Sequence, residues 1–153
     1  MGLDMFLYAK RYMGWEFHAD TKTKASEVQK IFPELEPFGK DGNPVSYVVA
    51  NVGCWRKANA IHRWFVENVQ NGNDDCQTYF VPREHLVTLR QICRDVLADN
   101  SKAEELLPTQ SGFFFGGTAY GEDYLYTVEN TADIIDICLE LPNEWDFEYQ
   151  ASW

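Results

Sequence analysis

Two kinds of hydrophobic pattern interleave along this chain, and their order restricts the fold more than any other feature. In residues 83–97, apolar side chains recur every three or four positions, as in a helix with one buried face. Residues 144–149 instead alternate acidic and aromatic residues, as in a strand. Because the two patterns follow one another without a regular strand–helix–strand repeat, they predict an α+β fold. We expect a single domain over residues 1–153, with a mostly antiparallel or mixed sheet packed against three to four helices.

Strands are expected at residues 2–13, 45–53, 76–81, 111–117 and 143–153, the last as an edge or half-exposed strand. Helices are expected at 24–32, 54–70, 83–97 and 122–141, with one or two helical turns at 102–107 and a loop at 33–44. The segment 111–117, SGFFFGG, favours a strand that is buried on both faces. The alternative is that its aromatic rings and glycines approach a ligand.

Negative charge accumulates in the second half of the sequence. Residues 1–65 contain nine Lys and Arg against seven Asp and Glu, whereas residues 66–153 contain four against seventeen, and the formal net charge is −11. From residue 103 onward there are eleven acids and no Lys or Arg. A protein that binds nucleic acid directly needs cationic surface to displace counterions from phosphates. The charge therefore argues against direct binding to nucleic acid or anionic membranes and favours a basic protein partner.

The inner face of the predicted helix 54–70 carries Cys54, Ala58, Ile61 and Phe65 at helical spacing. Its outer face is expected to offer an aromatic ring, two guanidinium groups, an amide and an imidazole. These groups belong to Trp55, Arg56, Asn59, His62 and Arg63. Such a set is suited to a small anionic or planar ligand, such as a nucleotide, or to a partner's carboxylates. The alternative is that these side chains meet water or pair with the chain's many acids.

Acidic side chains line one side of the last predicted helix and one face of the last predicted strand. They are Glu122, Glu129, Asp133, Asp136 and Glu140 on the helix, and Glu144, Asp146 and Glu148 on the strand. Carboxylates one helical turn apart are separated by ~5.4 Å, and those on alternate strand residues by ~6.6 Å. Such rows would suit the nucleic-acid-binding groove of another protein. The sequence thus predicts one continuous acidic contact surface; the alternative is a solvated face that maintains solubility.

The sequence predicts no catalytic, metal or cofactor site. His18, His62 and His85 are spread along the chain without a nucleophile and an orienting acid. Asp74 and Asp75 follow a glycine turn but lack the remaining pattern of a calcium loop. An enzyme is therefore unsupported by the sequence, although the question stays open.

The four cysteines have no C-x-x-C spacing and are expected to be buried thiols. No apolar run reaches the ~18 residues that a membrane span requires. The first residues also lack the order of a secretory signal, so a cytoplasmic location is expected.

The segments MGLDM, WRKANAIHRWFV, NGNDDCQTYFV and ELLPTQSGFFFG together resemble a family of uncharacterised small proteins encoded by bacteriophages and prophages. The resemblance covers roughly residues 1–10 and 50–127, and this chain departs from the family pattern at Cys54, Pro82 and the segment GGTAYGED. The resemblance implies a viral or prophage accessory protein in the cytoplasm of a bacterial host cell. It implies no established activity.

Three functions are compatible with these observations. The first is a non-enzymatic, phage-type protein that binds and inhibits a basic host protein, such as a nucleic-acid-directed defence component, through the acidic surface. The second is a sequestering protein or enzyme that binds a small ligand or nucleotide at the outer face of helix 54–70. The third is a structural or assembly role, for which the Tyr and Trp content offers weak support.

Overall fold

The computed structural model describes residues 2–14, 21–34 and 45–153. Within these residues the strands are β1 (Asp4–Tyr12), β2 (Tyr47–Arg56), β3 (Tyr79–Val81) and β4 (Trp145–Ser152). The helices are α1 (Thr21–Ile31), α2 (Asn59–Asn68), α3 (Arg83–Ala98), α4 (Ala103–Leu106) and α5 (Glu122–Glu140), with a 3₁₀ turn at Asn100–Lys102. His18 and residues 35–44 of the predicted loop lie outside the described residues.

The four strands form an antiparallel sheet in the order β2-β1-β4-β3. Val81 on β3 lies opposite Phe147 on β4, and Phe80 lies opposite Glu148. The predicted α+β class is confirmed. However, β4 is not an edge strand, because it lies between β1 and β3. Its alternating sequence reflects a half-exposed position, in which only one face of the strand is buried.

The chain divides into two compact units, Met1–Ala9 with Asn51–Trp153, and Lys10–Ala50. In the larger unit, α2, α3 and α5 pack against one face of the sheet. Alternate residues of β1 and β4 supply that face, and those fully buried include Met5 and Leu7 on β1 and Phe147 and Tyr149 on β4. The intervening strand residues are half-buried or exposed. The opposite face of the sheet is therefore the outward one.

Close contacts fix the helices of the larger unit on the sheet. The ring of Phe65 on α2 stacks on Tyr149, with centroids 3.9 Å apart. A Cβ added at Gly53 on β2 would lie 2.8 Å from Cγ2 of Ile134, so α5 lies directly against β2. Arg83, at the start of α3, donates from Nη2 to the carbonyl of Leu141, just beyond the end of α5, at 2.8 Å. Helices α3 and α5 therefore run antiparallel.

The predicted buried stripe of α3 is confirmed, since Leu86, Leu89, Cys93 and Val96 are all fully buried. Burial raises the pKa of the Cys93 thiol to about 12. The α3 stripe is thus an inert part of the core.

The smaller unit contains α1 and its own apolar cluster. Met13, Ala25 and Val45 are buried there, with Val28 and Val48 packed against them. The amine of Lys10 lies 4.7 Å from the centre of the Tyr47 ring. Helix α1 ends at Ile31, shortly before Pro33, as the sequence predicts.

The segment 111–117 is not the buried strand that the sequence suggests. It forms a turn in which the Phe113 side chain is 94% exposed, while Phe115 is buried. Gly116 adopts φ +87, and a Cβ there would lie 3.0 Å from the Cβ of Lys57. The positive φ and the close approach of Lys57 favour glycine at this position, and a left-handed residue interrupts an extended strand. The apolar sequence of this segment predicted a strand and gave no indication of the turn.

We expect Leu89→Ala to lower the free energy of unfolding by about 2–5 kcal/mol, because it removes a fully buried side chain and leaves a cavity. Leu97→Ala on the same helix is the matched control, since Leu97 is exposed, and its effect should stay within about 0.5 kcal/mol. Denaturant unfolding measures both changes. Equal effects of the two substitutions would contradict the described orientation of α3.

Candidate functional site

The predicted helix 54–70 begins later than the sequence suggests. Cys54, Trp55 and Arg56 continue β2, and helix α2 starts only at Asn59, after Lys57 adopts a positive φ of 57. Along this end of β2, buried and exposed residues alternate with period two, which places Trp55 inward and Cys54 outward. The expectation that Cys54 is buried is therefore wrong, whereas Ala58, Ile61 and Phe65 do pack in the core.

Trp55 and Asn59 were expected to face outward, but both are buried and hydrogen-bonded. The indole N–H of Trp55 donates to Oγ1 of Thr131 on α5 at 2.9 Å. The amide of Asn59 donates to the carbonyls of Phe115 and Gly117 at 3.0 and 2.8 Å, and its Oδ1 accepts from the backbone N–H of Gln110 at 3.0 Å. Asn59 thus fastens the loop 110–117 to the start of α2.

His62 is also buried rather than outward-facing. Its Nδ1 lies 2.8 Å from the hydroxyl of Tyr149, and its Nε2 lies 3.0 Å from Oδ1 of Asp74. The ring of Phe115 meets the imidazole edge-on at 5.3 Å, and the ring of Trp153 lies 5.5 Å away. His62 therefore serves as an internal link between β4 and the loop that follows α2.

The partners of His62 define its protonation. An ionised carboxylate only accepts hydrogen bonds, so Nε2 carries the proton toward Asp74, and Nδ1 accepts from the Tyr149 hydroxyl. Burial lowers the pKa of His62 below its usual value of 6.5, although the charge of Asp74 opposes this shift. Burial, with a smaller effect of Asp74, raises the pKa of Tyr149 well above its usual value. The imidazole is therefore neutral and the phenol protonated in the folded protein.

Of the five residues predicted to form the ligand face, the two arginines reach solvent. The Arg56 side chain is 69% exposed and lies 3.6 Å from the carboxylate of Asp4. Arg63 donates from Nε to Glu67 at 2.7 Å. The structure therefore does not assemble the five predicted residues into one outward face.

A cavity of about 550 Å³ lies beside Asn59 in the larger unit. Its walls come from the end of β2, the start of α2, the loop 109–121 and the first two turns of α5. Of the five predicted ligand residues, Arg56 and Asn59 line this cavity, whereas Trp55, His62 and Arg63 do not. Lys57 also lines it, and the sequence analysis did not single out this residue.

The outward side of α5 carries both acids and large apolar side chains. Six exposed residues fall within about 80° around the helix axis. They are Glu122, Tyr126, Glu129, Asp133, Ile137 and Glu140, here called the α5 outer face. Tyr126 is 70% exposed and Ile137 is 59% exposed. The four acids of this face were predicted from the sequence, whereas its two apolar residues were not, although all six share one helical spacing.

Asp136 does not belong to the α5 outer face. Its carboxylate accepts from Nη1 of Arg90 at 3.1 Å and from Nη2 of Arg94 at 2.9 Å, both on α3. Hydrogen bonds from Arg90 and, to a lesser extent, Arg94 lower the pKa of Asp136. Asp136 thus joins α5 to α3, and its charge is compensated within the protein.

The acids of the final strand lie on the other side of the molecule. On β4, Phe147 and Tyr149 face the helices, so Asp146 and Glu148 point to the opposite face of the sheet. Glu144 is exposed immediately before the strand. Because α5 covers the inner face of the sheet, its own outer face is separated from these carboxylates by both layers. The eight predicted acids therefore do not form one continuous surface.

The expectation of buried thiols is confirmed for Cys93 and Cys138, whereas Cys76 is half-buried. Within the described residues, no group of three or more His, Cys, Asp or Glu side chains is placed to hold a metal ion. No helix in this part of the chain has both the length and the apolar character needed to cross a membrane.

Comparison of the chain with protein-family models, with curated proteins and with solved structures found no match. The relation to phage and prophage proteins therefore stays a prediction from the sequence motifs.

The lowered pKa of His62 gives the stability a defined pH dependence. The unfolded chain takes up a proton on His62 near pH 6.5, whereas the folded chain keeps the imidazole neutral to lower pH. The stabilisation is therefore complete above pH 6.5 and is lost as the pH falls toward the folded pKa. We expect the free energy of unfolding to fall below pH 6.5 more steeply than in a His62→Gln variant, by up to about 1.4 kcal/mol per pH unit.

Glutamine keeps one donor and one acceptor at this position but does not titrate. The other ionisable groups are common to both chains, so the difference between their slopes isolates His62. Denaturant unfolding at a series of pH values measures both slopes. Parallel slopes would contradict a neutral, buried His62.

Proposed function

We propose that this chain is a phage-type accessory protein that binds a basic protein of the bacterial host cytoplasm through the α5 outer face and thereby inhibits it. The observation that carries the proposal is the presence of exposed Tyr126 and Ile137 between exposed carboxylates on one side of a 19-residue helix. A face that only maintains solubility has no need of large apolar side chains. Protein interfaces are enriched in such anchors, and tyrosine is frequent among the residues that dominate binding energy.

The charge on the α5 outer face is available to a partner. Within the described residues, no ion pair at 4.0 Å or less involves Glu122, Glu129, Asp133 or Glu140. Moreover, α5 contains no Lys or Arg. Complementary charge of this kind accelerates association and selects against acidic partners.

The length of this face favours a groove as its counterpart. Glu122 and Glu140 are eighteen residues apart, which corresponds to ~27 Å along the helix axis. A helix that presents apolar anchors at helical spacing fits the mode in which an amphipathic helix binds a groove. The partner is therefore expected to offer a basic groove with apolar depressions spaced for Tyr126 and Ile137.

A nucleic-acid-directed defence protein has the required basic groove, since such proteins must bind phosphates. The resemblance to phage small proteins supports a host protein as the target. Occupation of the groove by α5 would exclude the nucleic acid and so account for inhibition. Four exposed carboxylates on α5 support this function, while Asp136 and the acids of β4 do not contribute to it.

Charge reversal tests the electrostatic part of the proposal. The partner is captured from bacterial lysate at low salt and identified, and its dissociation constant is then measured with the purified pair. We expect Glu129→Lys with Asp133→Lys to weaken binding at least tenfold, and salt to weaken the native complex. The matched control is Glu144→Lys with Asp146→Lys, which changes the net charge equally at residues outside the α5 outer face.

The control should leave the dissociation constant within about threefold of the native value. An equal loss in both double variants would show that net charge, rather than the α5 outer face, determines binding. Recovery of no basic protein at low salt would refute the proposal.

Removal of the apolar anchors tests the same face at constant charge. We expect Tyr126→Ala and Ile137→Ala each to weaken binding by about five- to thirtyfold, equivalent to about 1–2 kcal/mol. Leu97→Ala on α3 removes an exposed apolar side chain elsewhere and should have no effect on binding. Unchanged affinity in both α5 variants, measured by calorimetry, would exclude α5 as the contact helix.

A further inference from the structure

The cavity beside Asn59 carries two separate pairs of opposite charge. Arg56 and Lys57, at the end of β2, supply two cations, and Glu122 and Asp123, at the start of α5, supply two carboxylates. Within the described residues, no ion pair at 4.0 Å or less joins one pair to the other. The carboxylate paired with Arg56, that of Asp4 at 3.6 Å, does not line the cavity. Both kinds of charge are thus presented to the cavity without neutralising each other.

The rest of the lining combines apolar, uncharged polar and backbone groups. Ala58 and Ala119 contribute apolar surface, and Thr109 and Thr127 contribute hydroxyl groups. Gly117 and Gly121 add peptide groups that no side chain covers. A Cβ added at either glycine would meet no atom within 4 Å, so the space beside both residues is open. The surrounding loop is held by Asn59, whose hydrogen bonds to Phe115, Gly117 and Gln110 fix the wall of the cavity before any ligand arrives.

We propose that this cavity binds a zwitterionic ligand of the size of a short peptide. The four charged lining residues sum to zero, so a ligand with one carboxylate and one ammonium matches them better than a nucleotide. The phosphates of a nucleotide would lie near Glu122 and Asp123, and like charges repel. The volume of about 550 Å³ falls within the ~300–1,000 Å³ of small-molecule sites and exceeds what a single amino acid fills.

In the bound state, the ligand carboxylate faces Arg56 and Lys57, and its ammonium faces Glu122 and Asp123. The central part of the ligand lies over Ala58 and Ala119. This binding site shares only Glu122 with the α5 outer face, and it goes beyond the inhibition of a host protein.

Calorimetry of the full chain with tripeptides tests the proposal. The probes are Gly-Ala-Gly, Gly-Leu-Gly and Gly-Phe-Gly with free termini, together with the N-acetylated and the C-amidated form of each. We expect at least one free tripeptide to bind, and expect blocking either terminus to weaken it about fivefold, as for a partly exposed ion pair. AMP is the competing probe.

Variants of the charged cavity residues test which of them bind the carboxylate and which bind the ammonium of the peptide. Arg56→Gln with Lys57→Gln should weaken the free peptide about fivefold but leave the affinity for the C-amidated peptide unchanged. Asp123→Asn should reduce the difference between the free and the N-acetylated peptide. Gly117→Val should abolish binding of every form, because the added side chain enters the open space of the cavity.

Three results would overturn the proposal: no binding of any free tripeptide, equal binding of free and blocked peptides, or binding of AMP in preference to all of them. The comparison of free with blocked peptides uses the unmodified chain, so it remains decisive even if a variant fails to fold. A failure here would leave the host-protein proposal untouched, because none of these probes engages Tyr126 or Ile137.

Discussion

The packing of α2, α3 and α5 against a single face of the antiparallel sheet determines the rest of this structure. Because these helices cover one face of the sheet, buried residues alternate with half-buried or exposed ones along most of β1 and β4. The same packing turns the opposite side of α5 to the surface. The carboxylates of α5 and β4 therefore lie on opposite sides of two layers, and the proposed contact surface is reduced to one helix.

Inside that packing, two polar side chains organise the loops. Burying an amide or an imidazole without partners costs free energy, so the hydrogen bonds of Asn59 and His62 are needed for the fold to tolerate them. Asn59 holds the loop 110–117, and His62 holds Asp74 after α2. The shape of the cavity follows from the first of these links. Asn59, which the sequence suggested as a ligand contact, thus also holds one wall of the cavity in place.

The two proposed surfaces use different chemistry on the same helix. At its first turn, α5 contributes Glu122 and Asp123 to the lining of the cavity, which also includes Arg56 and Lys57. Along its length, α5 presents the α5 outer face, in which acids surround Tyr126 and Ile137. The α5 outer face is suited to a macromolecular groove, and the cavity is suited to a small ligand. Only Glu122 borders both.

The sequence by itself determined the α+β class, the buried stripe of α3, the alternation of β4 and the excess of acids, because each depends on local periodicity or on composition. Tertiary contacts decided the remainder. Trp55 and Arg56 were predicted in a helix but continue β2, where the indole of Trp55 is hydrogen-bonded to Thr131 on α5. Likewise, the neutralisation of Asp136 and the separation of the α5 and β4 acids follow from how α5 lies on α3 and the sheet. Long-range packing of this kind cannot be predicted from the hydrophobic periodicity of a single segment, because it depends on residues that are distant in sequence.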